Sequence, residues 1–214
     1  MGMTPVIRIA GALLAGGKSA RMGGGDKCLR RLGGETLLER AIARARPQVD
    51  ELVLNANGDP SRFAQTGLTI IPDVIEDYAG PLAGILSVLE WARAHRPACT
   101  HVVSFAADTP FFPADLVQRL FRAAQDRNTV LASAASGGRV HPVFGLWPVS
   151  LAGDLRRAMT AENIRKVDAW TARHGVALAE YPMLPFDPFF NVNREEDLAR
   201  AELMSPVSGT PFQA

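Results

Sequence analysis

A chain of 214 residues, 47% hydrophobic and 21% charged, has the length of one large α/β domain and enough apolar residues to bury a core. Lys and Arg number 23 against 22 Asp and Glu, and the resulting net charge of +1 argues against broad electrostatic binding to nucleic acid or to an anionic membrane. No window approaches about eighteen uninterrupted apolar residues and no signal-peptide pattern opens the chain, so no membrane partner and a cytoplasmic location are expected.

Strand and helix patterns alternate from the start. Val6 to Leu14 is an apolar run of strand length, and Glu35 to Arg46 reads as a helix with Leu37, Leu38, Ile42 and Ala45 on one face, stopped by Pro47. Short strands follow at Leu52 to Leu54 and at Leu68 to Ile71. A helix fits Leu82 to Ala94, a buried strand His101 to Ala107, and a helix Pro113 to Gln125 with Pro at its start. Thr129 to Ala134 and Val140 to Trp147 read as strands, Leu151 to Met159 and Asn163 to His174 as helices. Ala177 to Tyr181 is a last strand and Glu195 to Met204 a last helix. Residues 1–204 are expected to form a single domain and 205–214 a frayed tail.

Apolar strands alternating with amphipathic helices imply a Rossmann-like three-layer α/β/α sandwich on a mostly parallel central sheet. In such sheets ligands bind beyond the carboxyl ends of the strands. Polar residues recur at that position four times: the glycine-rich loop after the first strand, Asn55 after the second, Asp73 after the third and Asp108 after the strand at 101. Cys28 and Cys99 have neither CxxC nor zinc spacing, which suits two free thiols.

The loop from Leu14 to Lys27 carries the chemistry. Five glycines between Gly16 and Gly25 cannot build a core, but they let backbone N–H groups approach a phosphate chain. Lys18, Arg21 and Lys27 spread three cations over such a ligand, so a nucleotide is expected. Ala12-x4-Gly17-Lys18-Ser19 nearly matches a P-loop, yet a P-loop enters a helix at its Lys-Ser/Thr. Gly23-Gly24-Gly25 follow within one turn, and each helix-interior Gly costs about 1 kcal/mol relative to Ala. No GxGxxG opens a helix either, which disfavours a dinucleotide site of Rossmann type.

Leu14-Ala15-Gly16-Gly17-Lys18-Ser19-Ala20-Arg21-Met22-Gly23 with Asp26-Lys27 resembles the LAGGxSxRMGxDK signature of nucleotidyltransferases. Asn55-Ala56-Asn57, Pro72-Asp73, Gly80 to Ile85, Asp108-Thr109-Pro110, His141 to Phe144 and Phe190-Asn191-Val192-Asn193 fall in family order over nearly the whole chain. That full set is similar to the molybdenum cofactor guanylyltransferase branch, and the paired Gly16-Gly17 resembles guanylyl rather than cytidylyl transfer. Two departures are mild: Gly24-Gly25 lengthens the loop, and Ala20 stands where the family often has a polar residue.

The resemblance implies attack by the terminal phosphate of molybdopterin on the α-phosphate of GTP, with loss of pyrophosphate. It implies Mg2+ on Asp108, Lys27 at the α-phosphate, and Lys18 and Arg21 at the β- and γ-phosphates, with Lys27, Asp108 and Arg21 as the catalytic set. Leu14, Ala15, Gly16 and Gly17 are expected to offer backbone groups to the nucleotide, and Asn55 and Asp73 to contact the nucleoside. Gly80, Gly84, Arg139, His141, Asn191 and Asn193 are expected on the side of the pterin substrate or the metal. Asn191 and Asn193 alternate, so they should point the same way. Rival readings are cytidylyl or sugar-phosphate transfer, or a non-catalytic carrier that delivers cofactor to molybdoenzyme apoproteins or chaperones.

Overall fold

The computed structural model of the chain describes residues 8–16, 26–75 and 80–204. Strand β1 (Arg8–Leu14) leads to a small hairpin, β2 (Arg31–Leu32) and β3 (Glu35–Thr36), and then to helix α1 (Leu37–Ala45). Next come β4 (Glu51–Asn55), β5 (Thr69–Ile71), α2 (Pro81–His95), β6 (Cys99–Ala106), α3 (Leu116–Asp126), β7 (Leu131–Ser136) and β8 (Arg139–Pro148). The described chain ends with α4 (Ala152–Thr160), α5 (Val167–Thr171), β9 (Val176–Tyr181) and α6 (Glu195–Met204).

Seven strands form one sheet in the order β5-β4-β1-β6-β8-β7-β9. Only β8 runs antiparallel to its neighbours. Side chains alternate between the two faces, as a strand requires. Leu13, Leu52, Leu54, Val103 and Phe105 pack with α1 and α3, whereas Ala10, Ala12, Val53 and Val102 pack with α2, α4 and α5. The result is the expected three-layer α/β/α sandwich. A third, smaller apolar cluster joins Leu32, Leu37 and Phe111 to Val192 and Ala201, seating α6 and the segment before it against the hairpin.

Several element boundaries shift from the sequence reading, and three of the shifts have a clear local cause. Helix α1 starts at Leu37, not Glu35, because Thr36 is its N-cap: Glu39 N–H donates to Thr36 Oγ1 at 3.1 Å, and Thr36 N–H donates to the Glu39 carboxylate at 2.6 Å. Helix α3 starts at Leu116, with Pro113 outside it, and Gln48 satisfies its N-terminus by accepting from Val117 N–H at 3.0 Å. The expected helix over Asn163 to His174 shrinks to α5. Asn163 sits in the left-handed region at φ 55° beyond the end of α4, and the chain is still extended at Lys166.

The carboxyl ends of the central strands lie in one row. Ile71 pairs with Asn55, Asn55 with Leu14, and Leu14 with Ala106. From β1 the chain first adds β4 on one side and later β6 on the other, so the strand order reverses beside β1. An open α/β sheet parts its loops into a crevice at such a point.

Candidate active site

Lys27 begins a short 3-10 turn, Lys27–Leu29, that follows the glycine-rich loop. Its ammonium is the centre of the site. Lys27 Nζ pairs with Asp108 Oδ2 and donates to Asn191 Oδ1 at 3.2 Å and Asn193 Oδ1 at 2.7 Å. An ammonium has three protons, and three oxygens from two distant segments accept them. Asp108 comes from the turn after β6, while the asparagines come from the segment just before α6. The two segments are tied through their backbones, since Val192 N–H donates to the Asp108 carbonyl at 3.0 Å. Val192 itself is fully buried, so the alternation Asn-Val-Asn turns both carboxamides toward Lys27.

The second part of the site lies across β4 and β5. Asn55 Nδ2 donates to the Ile71 carbonyl at 3.0 Å and to Asp73 Oδ1 at 2.9 Å. Asn57 Nδ2 donates to Asp73 Oδ2 at 2.7 Å, and Asp73 N–H returns a bond to Asn57 Oδ1 at 2.8 Å. The Asp73 carboxylate is thereby held by two carboxamides. The alternation that singles out Asn191 and Asn193 also applies to Asn55-Ala56-Asn57, and it could have found Asn57.

Gly84, expected on the side of the pterin substrate or the metal, stands where α2 packs against Asn55. A Cβ there would lie 2.2 Å from Asn55 Oδ1 and 3.2 Å from Leu14 Cδ2, so the glycine lets α2 pass directly beneath Asn55. Gly80 caps α2 with φ 133°, a conformation side chains rarely adopt. The expectation for Leu14 and Ala15 also narrows. The Leu14 carbonyl accepts from Ala107 N–H and Ala15 N–H donates to the Asn55 carbonyl, because the sheet ladder continues past the strand ends. Gly16 has open space where a side chain would stand. Gly17, Lys18 and Arg21 lie outside the described residues.

His141 is buried, unlike Arg139, which is exposed at the start of β8. The His141 Nε2 lies 2.7 Å from Ser136 Oγ, which donates to Asp187 Oδ1 at 2.8 Å. Phe189 stacks on the imidazole at 4.5 Å. Burial holds the His141 pKa below its usual range, outweighing the opposing pull of Asp187. His141 and Asp187 thus anchor the segment that carries Asn191 and Asn193, a role with no local sequence signal. Beside Lys27, the Cys28 thiol is pushed up to about 12, chiefly by burial and then by Asp26 and Asp108.

Asp108, Asn191 and Asn193 present only hard oxygens, which suits Mg2+. Among the described residues no group of three His, Cys, Asp or Glu side chains could hold a metal without help. A site of one carboxylate completed by substrate phosphates is the usual magnesium arrangement.

Residues 11–176 match the family model of the MobA-like NTP transferase domain. A molybdenum cofactor guanylyltransferase from Bradyrhizobium sp. (strain ORS 278) is 56% identical over 199 residues, covering 93% of this chain and 94% of the relative. Among solved structures, molybdopterin-guanine dinucleotide biosynthesis protein A from Archaeoglobus fulgidus superposes with a TM-score of 0.69 at 24% identity, covering 91% of this chain and 97% of that one. A Mycobacterium tuberculosis protein in complex with manganese superposes with a TM-score of 0.64 at 20% identity, covering 92% and 99%. These two structures support the fold alone.

Proposed function

The chain belongs to the MobA-like NTP transferase family, and from that premise we propose that it transfers GMP from GTP to the terminal phosphate of molybdopterin, releasing pyrophosphate. The observation that carries the reading is the convergence of Asp108, Asn191 and Asn193 on the Lys27 ammonium. Four residues that the family motifs single out meet at one point, beside the crevice where the strand order reverses.

The nucleophile is a phosphate oxygen and is already an anion, so the site needs no general base. Catalysis reduces to positioning the two phosphates and neutralising charge as it builds on the α-phosphoryl group. Lys27 supplies a proton-donating cation at that group, and its three acceptors keep the ammonium aimed until substrate arrives. Lys18 and Arg21 are assigned to the β- and γ-phosphates of the leaving pyrophosphate. Asn55 and Asp73, braced by Asn57, are assigned to the nucleoside, Gly16 to the base and Gly17 to the nucleotide.

Asp108 would hold Mg2+, which when bound supplies Lewis-acid screening of the phosphate oxygens. Arg139, exposed at the open end of β8, is assigned to the pterin phosphate, and Asn191 and Asn193 to the wall between the two substrates. Delivery of the product to molybdoenzyme apoproteins is compatible with this reading and requires no other site.

The test is pyrophosphate release from purified protein with magnesium and molybdopterin, comparing GTP, CTP and ATP. Release with GTP that needs the pterin and vanishes in Asp108→Ala supports the assignment. Release with CTP alone would move the protein to cytidylyl transfer.

A further inference from the structure

Asp26 occupies the N-cap position of the 3-10 turn that carries Lys27, where an aspartate ordinarily accepts from the first N–H groups. Among the described residues its carboxylate makes no such bond. It faces Arg62 instead, 36 residues away: Arg62 Nη1 donates to Asp26 Oδ2 at 2.5 Å. The same guanidinium donates from Nη2 to the Asn57 carbonyl at 2.5 Å and from Nε to the Asp59 carbonyl at 2.9 Å. Gly58, at φ 83°, turns the chain tightly over this fork, and a Cβ there would meet Nη2 at 3.4 Å. The Arg62 side chain is only about one-third exposed and that of Asp26 less.

The two ends of this clamp matter. One end is the turn whose next residue is Lys27. The other is the loop whose Asn57 side chain holds Asp73, which in turn is held by Asn55. We infer that Arg62 is a positioning residue that sets the separation between the Lys27 ammonium and the Asn55–Asp73 pair, and hence between the α-phosphate and the nucleoside of bound GTP. The roles of the two ends rest on the proposed guanylyl transfer. The planar fork explains the residue type, since Arg62 donates from three separate nitrogens, whereas an ammonium would direct all its protons from one. Arg62 touches none of the reacting atoms in this account.

The experiment compares the full-length chain with Arg62→Ala, Asp26→Ala, the double variant and Arg62→Lys. Each is measured by calorimetric GTP affinity in magnesium, by kcat and KM for pyrophosphate release, and by thermal melting. Misplacing a charge by about 1 Å can cost about 100-fold in rate. Arg62→Ala is expected to lower kcat about 10- to 100-fold and to weaken GTP binding several-fold. The double variant should lose no more than the worse single one, because both break the same clamp. Arg62→Lys should recover thermal stability but little of kcat.

Wild-type kcat and GTP affinity in Arg62→Ala, or single losses that multiply in the double variant, would overturn the inference. So would a full recovery of kcat by lysine. If Arg62→Ala does not fold, Asp26→Ala against Arg62→Lys decides by the same criteria. A wild-type protein that binds GTP but releases no pyrophosphate defeats the proposed function, while the affinity comparison still decides the role of Arg62.

Discussion

Lys27 Nζ and Asn193 Oδ1 stand 2.7 Å apart although 166 residues separate them along the chain. The contact closes the site: the first strand's loop and the segment before the last helix meet only because β1 and β6 are neighbours and Val192 is pinned to Asp108. It also makes Lys27 sensitive to changes far away in sequence.

Removing the ammonium should therefore be felt in the chemistry rather than the fold. Lys27→Ala is expected to lower kcat by about 100- to 1,000-fold, the usual loss when one donor to a developing negative charge is deleted. The KM for GTP should rise less than kcat falls. Steady-state kinetics on a variant with a near-native melting curve check this, and an unchanged kcat would remove Lys27 from the mechanism.

Gly84→Ala should act on Asn55. The new Cβ would fall 2.2 Å from Asn55 Oδ1, so either that carboxamide or the start of α2 must move. Overpacking of this kind costs about 1–3 kcal/mol. Chemical denaturation should show the loss, and GTP affinity should fall with it because Asn55 holds Asp73. A variant as stable as the wild type, with unaltered affinity, contradicts the packing role.

Both thiols should be quiet in the folded protein. Burial raises Cys28 to about 12 and also raises Cys99, so little thiolate exists near neutral pH. A thiol reagent at about pH 8 should label neither at an appreciable rate until denaturant is added, whereupon two equivalents react. Rapid native labelling of one cysteine would show that its surroundings open.

The stability should fall as the solution is made mildly acidic. His141 and His101 both have pKa values lowered from 6.5 by burial, so the unfolded chain binds protons more readily than the folded one. Their contribution is fully present above the unfolded pKa of 6.5 and is lost as the pH drops from there toward the lower folded values. Urea unfolding at about pH 7.5 and about pH 5.5 tests the sign. Stability that is flat or higher at the acid end would mean that neither ring is buried in the neutral form.

Much of this protein was written in local pattern. Period-two and period-3.6 apolar spacing places the strands and helices of the layered sheet, because burying one face of each element is a short-range requirement. The motif at Leu14 to Lys27 and the Asn-Val-Asn at 191–193 name the chemical groups before any contact is known. Even the true start of α1 was legible in Thr36-x-x-Glu39.

Other features depend on neighbours that no window contains. Gln48 caps a helix beginning at Leu116, and Ser136 and Asp187 anchor His141. Arg62 reaches Asp26 across 36 residues. Gly84 is required by a side chain on β4, although its place in α2 shows only an unfavourable helix residue. Composition and periodicity determine which elements form and which polar groups lie at the strand ends. The meeting of Lys27 with Asp108, Asn191 and Asn193 was decided by strand order and register, since hydrogen bonds act over about 3 Å and only the folded sheet brings such distant segments that close.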